Sequence, residues 1–225
     1  MKVVGLVLFL LQSLFVFGQS WPRTERWEET ICSFEEMDQK TPPSQNSVLS
    51  VGSSSLANWN SFIKRDLAPL PIIPRGFGGS TINDVVAYAD RVVFPYKPQA
   101  ILLYEGDNDI NAGLSPIVVA DKFRQFFELV HDELPGTCIY VISVKPSLAR
   151  WHLWPTMKEL NGLLALESAR DDLVTYIDAA SILIGENGMP RSDLFCEDQL
   201  HLNPAGYKEW AKIIRPVLMN GRGSL

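Results

Sequence analysis

Short apolar runs alternate along the chain with longer segments in which apolar residues recur every three or four positions. Continuous apolar runs bounded by Gly, Pro or Asp are typical of β-strands buried on both faces. They lie at residues 48–52, 70–74, 100–104, 138–144 and 174–178. Helical spacing marks residues 54–66, 81–93, 115–134, 155–171 and 203–219. The pattern predicts five strands that alternate with five helices, after a helical segment near the N-terminus.

Alternating strands and helices are typical of a parallel sheet, because each parallel connection needs a crossover and the helix provides it. The crossovers are right-handed, so the helices cover both faces of the sheet. We therefore expect an α/β domain over residues 19–225, built as a three-layer α/β/α sandwich with a five-stranded parallel sheet. Ligands of such sheets bind at the carboxyl ends of the strands, so the residues that follow each strand are the first candidates for a site.

Residues 1–18 have the pattern of a secretory signal peptide. A positive charge and a long apolar stretch precede Val16 and Gly18, which stand at the −3 and −1 positions of a cleavage site before Gln19. An uncleaved membrane anchor is the alternative, although about 16 apolar residues are slightly short for a span. We predict a mature chain that begins near Gln19, has no stable membrane span, and is secreted or periplasmic.

Composition narrows the possible partners. The 225-residue chain is 46% hydrophobic and has a formal net charge of −6, which suits a globular core rather than a disordered chain. An acidic chain with scattered Lys and Arg lacks a basic patch for a phosphate backbone, so we expect no nucleic-acid partner. Its three cysteines and three separated histidines form no metal-ligand motif, so we expect neither a metal nor another cofactor.

Four clusters of small and polar residues follow predicted strands or precede the last helix. They are Gly52-Ser-Ser-Ser55, Arg75-Gly-Phe-Gly-Gly79, Glu105-Gly-Asp-Asn-Asp109 and Asp198-Gln-Leu-His201. Together they provide a hydroxyl nucleophile, free backbone N–H groups, an amide donor, and an acid near a histidine. Each cluster alone is more often a helix cap or a turn, but their joint occurrence indicates acyl transfer, which needs a nucleophile, an oriented base and an oxyanion hole.

In this order the clusters resemble the sequence blocks of the GDSL, or SGNH, hydrolase family, over residues 27–219. The resemblance implies that Ser54 is the nucleophile, His201 the base and Asp198 its orienting acid. It further implies that the oxyanion hole is formed by Ser54, Gly79 and Asn108. The fold it implies is flavodoxin-like. The segments Lys145-Pro-Ser147 and Gly206-Tyr-Lys-Glu-Trp210 resemble those of secreted bacterial members, a group that resembles platelet-activating-factor acetylhydrolases and lysophospholipase-type esterases.

Two positions depart from the family pattern. Ser53 stands where many members have aspartate, and Pro74 stands where asparagine is frequent. Because the nucleophile is the residue after Ser53, the first departure leaves the implied chemistry intact. The chain has no Gly-x-Ser-x-Gly motif, which disfavours an ordinary α/β-hydrolase.

The residues and the resemblance together predict a secreted serine esterase that hydrolyses a small-molecule, lipid or carbohydrate ester. Two alternatives stay open. An acyltransferase would use the same site, whereas a non-catalytic sugar- or lipid-binding module would have no use for the Ser, Asn, Asp and His set.

We expect short acyl chains, from acetyl to butyryl, to be preferred. A lid over a deep lipid groove usually needs an insertion longer than about 12–15 structureless residues. The one candidate, residues 179–197, is polar and contains Gly185, Gly188 and Pro190.

Charged residues follow the third and fourth predicted strands. Lys145 and Arg150 follow the fourth strand and are candidates for binding an anionic group of the substrate. Asp107 and Asp109 flank Asn108, and we expect both to brace its turn.

Overall fold

The computed structural model describes residues 21–221. The predicted signal peptide at residues 1–18 lies outside the described residues. No helix between residues 21 and 221 is long and apolar enough to cross a membrane.

Five strands in this part of the chain form an all-parallel sheet with the order β2-β1-β3-β4-β5. They are β1 (Val48–Gly52), β2 (Ile72–Gly76), β3 (Ala100–Tyr104), β4 (Cys138–Ile142) and β5 (Val174–Ile177). This order is the flavodoxin-like one, in which the direction of winding reverses between β1 and β3. The predicted fold is therefore confirmed.

Helices cover both faces of the sheet. They are α1 (Glu28–Lys40), α2 (Ser54–Ala57), α3 (Ile63–Asp66), α4 (Ile82–Ala87), α5 (Ala89–Val92), α6 (Asp107–Asn111), α7 (Pro116–Glu133), α8 (Trp154–Ser168) and α9 (Pro204–Asn220). Apolar side chains of α1, α4, α5, α7 and α8 pack in one core. Those of α2, α3 and α9 pack in another.

The strands divide their side chains between these two cores with a period of two. In β3, Ile101 and Leu103 belong to the first core, whereas Leu102 and Tyr104 belong to the second. All of these side chains are fully buried. Burial on both faces explains why the strand appears in the sequence as one continuous apolar run.

The second strand begins and ends two residues later than predicted. Arg75 and Gly76 extend it, and they pair with Val51 and Gly52 of β1. Arg75 is buried within the fold because its guanidinium donates to the Asp38 carboxylate and to two further oxygens. An apolar run marks burial rather than strand pairing, so the polar end of β2 could not be predicted from it.

Two of the predicted helices are interrupted. Residues 54–66 form α2 and α3, with a turn between them that contains Asn60. The Asn60 side chain donates to the carbonyl oxygen of Gly76 at 2.9 Å and accepts from its backbone N–H at 3.2 Å. The turn thus provides hydrogen-bond partners for the last residue of β2. Because Asn60 and Gly76 are distant in the sequence, helical spacing does not reveal this contact. Residues 81–93 are likewise divided into α4 and α5.

Candidate active site

Ser54 is the first residue of α2 and lies just beyond the end of β1. At Gly52, where φ is +144°, an added Cβ would lie 2.0 Å from the carbonyl oxygen of Tyr104. The backbone N–H of Ser53 donates to that same oxygen at 3.0 Å. Only glycine fits this approach. The chain therefore leaves β1 so that Ser54 is partly exposed, while the serines on either side of it are buried.

His201 lies between Ser54 and Asp198. Its Nε2 is 3.0 Å from Ser54 Oγ, and its Nδ1 is 2.6 Å from Asp198 Oδ2. Backbone N–H groups of Leu200 and His201 donate to Asp198 Oδ1 at 2.9 and 3.0 Å. Partial burial raises the pKa of Asp198, but these hydrogen bonds outweigh it and lower the pKa to about 2. The carboxylate is therefore ionised at neutral pH and faces the imidazole.

The segment that carries these two residues is fixed where it meets α9. Phe195 and Leu202 form an antiparallel bridge across it. The Asn203 side chain then accepts from two backbone N–H groups in the first turn of α9 and caps that helix. Local backbone pairing therefore fixes the position of His201 at the end of the long connection between β5 and α9.

The glycine turn after β2 passes beside Ser54. An added Cβ at Gly78 would lie 3.8 Å from the Ser54 Cβ, and Gly79 has a φ of +85°. Asn108, in the first turn of α6, donates from Nδ2 to the carbonyl oxygen of Ser80 at 2.9 Å. The fold therefore brings the predicted residues from four separate parts of the sequence to the carboxyl ends of β1, β2 and β3.

Residues 46–209 match the model of the GDSL-like lipase/acylhydrolase family. The chain belongs to this family. Membership makes it a carboxylic ester hydrolase rather than a non-catalytic binding module. The matched residues begin after α1 and contain every residue predicted for the site.

Solved structures have the same fold at low sequence identity. A Streptococcus pneumoniae protein named for platelet activating factor is 18% identical over 86% of this chain and 93% of its own, with a TM-score of 0.75. A lipase/acylhydrolase from Enterococcus faecalis is 18% identical over 78% and 96%, with a TM-score of 0.63. An acetyl-xylooligosaccharide esterase from Geobacillus is 14% identical over 81% and 96%, with a TM-score of 0.61. No curated protein sequence matches the chain.

In this family member, Asp109 links the Asn108 turn to the helix that follows the glycines. Its Oδ2 accepts from the backbone N–H of Gly106 and its Oδ1 from that of Ile82, both at 3.0 Å. Burial, reinforced by the charge of Asp107, raises the pKa of Asp109 to about 7 against the effect of these hydrogen bonds. Asp109 therefore braces the turn as expected, through backbone groups of two helices.

Asp107 and Lys145 form a buried ion pair with each other, which differs from the role predicted for each of them. Lys145 is only 1% exposed, and its Nζ donates to Asp107 Oδ2 at 2.9 Å. A buried ammonium that is already paired is not accessible to a substrate anion. The prediction that Lys145 binds an anionic group of the substrate is therefore wrong, because its ammonium group is paired with Asp107 inside the fold. The prediction that Asp107 braces the Asn108 turn is also wrong, because its carboxylate binds this lysine instead.

Two residues that lie before the matched segment contact Gly79 and were not predicted for the site. Arg26 Nη2 donates to the carbonyl oxygen of Gly79 at 3.2 Å. The ring of Trp27 lies 3.3 Å from the position of an added Cβ at Gly79. Their sequence distance from the glycine turn leaves no local signal that would have identified them. Within the described residues, no cluster of His, Cys, Asp or Glu is suited to a metal ion.

Glu105 lies fully buried behind the glycine turn and accepts from Ser80 Oγ at 2.6 Å. Burial, reinforced by the nearby Asp109 charge, raises the pKa of Glu105 well above its usual value of 4.5. Burial therefore favours the protonated, neutral form of the Glu105 carboxyl group in the folded protein. Because Ser80 also accepts from Asn108 through its carbonyl oxygen, Glu105 supports the residue that joins the glycine turn to α6.

We expect Glu105→Gln to gain stability over the wild type as the pH rises. The folded wild type keeps a proton that the unfolded chain releases above about pH 4.5, so its free energy of unfolding falls as the pH rises from there towards the folded pKa. Glutamine mimics the neutral acid and lacks this slope. Thermal denaturation from pH 5 to 8 should show a widening Tm advantage for the variant. The exposed Glu133→Gln is the control, and a constant difference would mean that Glu105 is ionised in the folded protein.

Proposed function

We propose that this family member is a secreted serine esterase with Ser54 as nucleophile, His201 as general base and Asp198 as its orienting carboxylate. The observation that carries the proposal is the continuous contact of the three side chains, at 3.0 Å and 2.6 Å. The Asp198 carboxylate accepts the Nδ1 proton of His201, so Nε2 is left free to accept the hydroxyl proton of Ser54.

The reaction follows from this arrangement. Ser54 Oγ attacks the ester carbonyl carbon while its proton passes to His201 Nε2. The imidazolium then gives that proton to the departing alcohol oxygen as the C–O bond breaks, leaving an acyl-enzyme. Water attacks the acyl carbon with His201 again as the base, and the products are the free acid and the regenerated serine.

The proposed oxyanion hole consists of the backbone N–H groups of Ser54 and Gly79 and the side-chain amide of Asn108. The Asn108 amide has two N–H hydrogens and uses one on the Ser80 carbonyl oxygen. Its second hydrogen is therefore free for the charge that develops on the substrate oxygen. One such donor is typically worth about 2.7–4 kcal/mol in the transition state.

The proposed substrate is a small-molecule, lipid or carbohydrate ester with a short acyl group. The long connection before α9 would have to supply any lid, but Leu183, Leu194 and Phe195 are buried in the core beneath α9. Those side chains are not available to line a groove for a fatty chain. The fold likeness to an acetyl-xylooligosaccharide esterase agrees with acetyl as the group removed.

Ser54→Ala should lower the rate of ester hydrolysis by at least about a thousandfold, because no other group replaces the nucleophile. The measurement is release of p-nitrophenol from p-nitrophenyl acetate, with free acetate assayed in parallel to separate hydrolysis from acyl transfer. Ser53→Ala is the matched control and should keep most of the activity, since Ser53 is buried. An inactive Ser53→Ala beside an active Ser54→Ala would move the nucleophile by one residue.

Activity should fall as the acyl chain of the ester lengthens. Each methylene group that contacts no apolar wall lacks up to about 0.8 kcal/mol of binding free energy. Values of kcat/KM for p-nitrophenyl esters from acetyl to dodecanoyl test this directly. The short-chain proposal would be abandoned if the maximum lay at eight carbons or more.

The mature protein should begin near Gln19 and leave the cytoplasm. The full chain would be produced in a bacterial host, and the N-terminus of the secreted or periplasmic material would be sequenced. Membrane-bound protein that still begins at Met1 would instead support the anchor, because the signal segment would not have been removed.

A further inference from the structure

The Asn108 side chain is held at both ends. Its Oδ1 accepts from Arg150 Nη1 at 3.0 Å, and its Nδ2 donates to the Ser80 carbonyl oxygen at 2.9 Å. An amide has nearly the same shape when it is flipped, but its donor and acceptor exchange places. In the flipped state the NH₂ group would face a guanidinium and the oxygen would face a carbonyl. The contact with Arg150 thus favours the orientation in which Nδ2 lies on the side of the glycine turn.

Arg150 is itself fixed by its surroundings. Its side chain is 15% exposed and its Nη1 lies 3.5 Å from Asp107 Oδ2. Its backbone N–H donates to Ser147 Oγ at 3.3 Å. The backbone N–H of the preceding Ala149 donates to the carbonyl oxygen of Gln199 at 3.1 Å, within the segment that carries His201. The guanidinium therefore faces α6, while the backbone before it is attached to the histidine segment.

Asp107, the residue before Asn108, is paired with two cations. Burial raises the pKa of Asp107, but Lys145 and Arg150 lower it overall, so the carboxylate is ionised. This one negative charge faces two cations, at 2.9 Å for Lys145 Nζ and 3.5 Å for Arg150 Nη1. Of these two cations, Arg150 is the one that also contacts the Asn108 amide. A cation on the acceptor oxygen of an amide also strengthens its N–H as a donor.

We propose that Arg150 is a positioning residue for ester hydrolysis, which acts by orienting and polarising the Asn108 amide towards the oxyanion. The inference rests on the proposed function, because it takes Asn108 as an oxyanion donor. It replaces the sequence prediction that Arg150 binds an anionic group of the substrate. The two roles differ in what they change. A positioning role lowers kcat for neutral esters, whereas an anion-binding role raises KM for charged esters alone.

The test compares Arg150→Met with Arg150→Lys on neutral p-nitrophenyl acetate. Arg150→Met should lower kcat about 10- to 100-fold with KM within about threefold, because it removes a hydrogen bond from a charged donor. Arg150→Lys keeps the charge and should lose less. Arg170→Met is the control, since Arg170 is exposed just after the end of α8 and pairs with the nearby Glu167. An unchanged kcat for Arg150→Met overturns the proposal.

A double-mutant cycle decides whether Arg150 acts through Asn108. Asn108→Ala should lower kcat strongly, and adding Arg150→Met to it should cost little more, because the amide it positions is gone. Full additivity would overturn the proposal. An unchanged Asn108→Ala would instead remove Asn108 from the proposed oxyanion hole, so failure of the underlying function is recognised separately.

An anionic ester distinguishes the positioning role of Arg150 from binding of a substrate anion. On p-nitrophenyl hemisuccinate, Arg150→Met should show the same loss of kcat as on the acetate. A rise in KM confined to the hemisuccinate would overturn the proposal in favour of anion binding. Thermal denaturation checks that each variant is folded. Should Arg150→Met fail to fold, the neutral but polar Arg150→Gln decides in its place, with a lower kcat expected and an unchanged kcat overturning the proposal.

Discussion

At the carboxyl ends of β1 and β2 the backbone lies so close to its neighbours that two positions have room only for hydrogen. An added Cβ would lie 2.0 Å from the Tyr104 carbonyl oxygen at Gly52, and 2.2 Å from the Ala57 backbone nitrogen at Gly76. The first approach brings the end of β1 against β3, where the winding of the sheet reverses, and the second brings the end of β2 against α2. Ser54, the glycine turn and Asn108 follow the ends of these three strands, so their mutual distances depend on this packing.

A buried polar network lies directly behind this point. Glu105 holds Ser80, Asp109 holds backbone groups of two helices, and Asp107 holds a buried lysine. Buried charges are costly unless they are paired, and the hydrogen bonds of Glu105 and Asp109 join the glycine turn to α4 and to the start of α6. The resulting rigidity is what an oxyanion hole requires, because its donors must be in place before charge develops on the substrate.

The N-terminal helix extends this support beyond the part of the chain that matches the family. Arg91 in α5 donates to the carboxylates of Glu28 and Glu35 in α1. The residues just before α1 in turn contact Gly79 through Arg26 and Trp27. A segment outside residues 46–209 is therefore joined to the glycine turn after β2, although the proposed chemistry uses none of its side chains.

The sequence by itself determined the fold class and the set of residues that meet at the candidate site. Strands buried on both faces leave continuous apolar runs, so β1 and β3 were predicted at their observed bounds, and the residues that follow them were the natural candidates. Only the tertiary structure decided that β2 extends through Arg75, that Asn60 interrupts a helix to reach Gly76, and that Lys145 and Arg150 face Asp107 and Asn108 instead of solvent. Those features depend on partners that are distant along the chain, and local periodicity carries no information about which distant groups a buried polar side chain will meet.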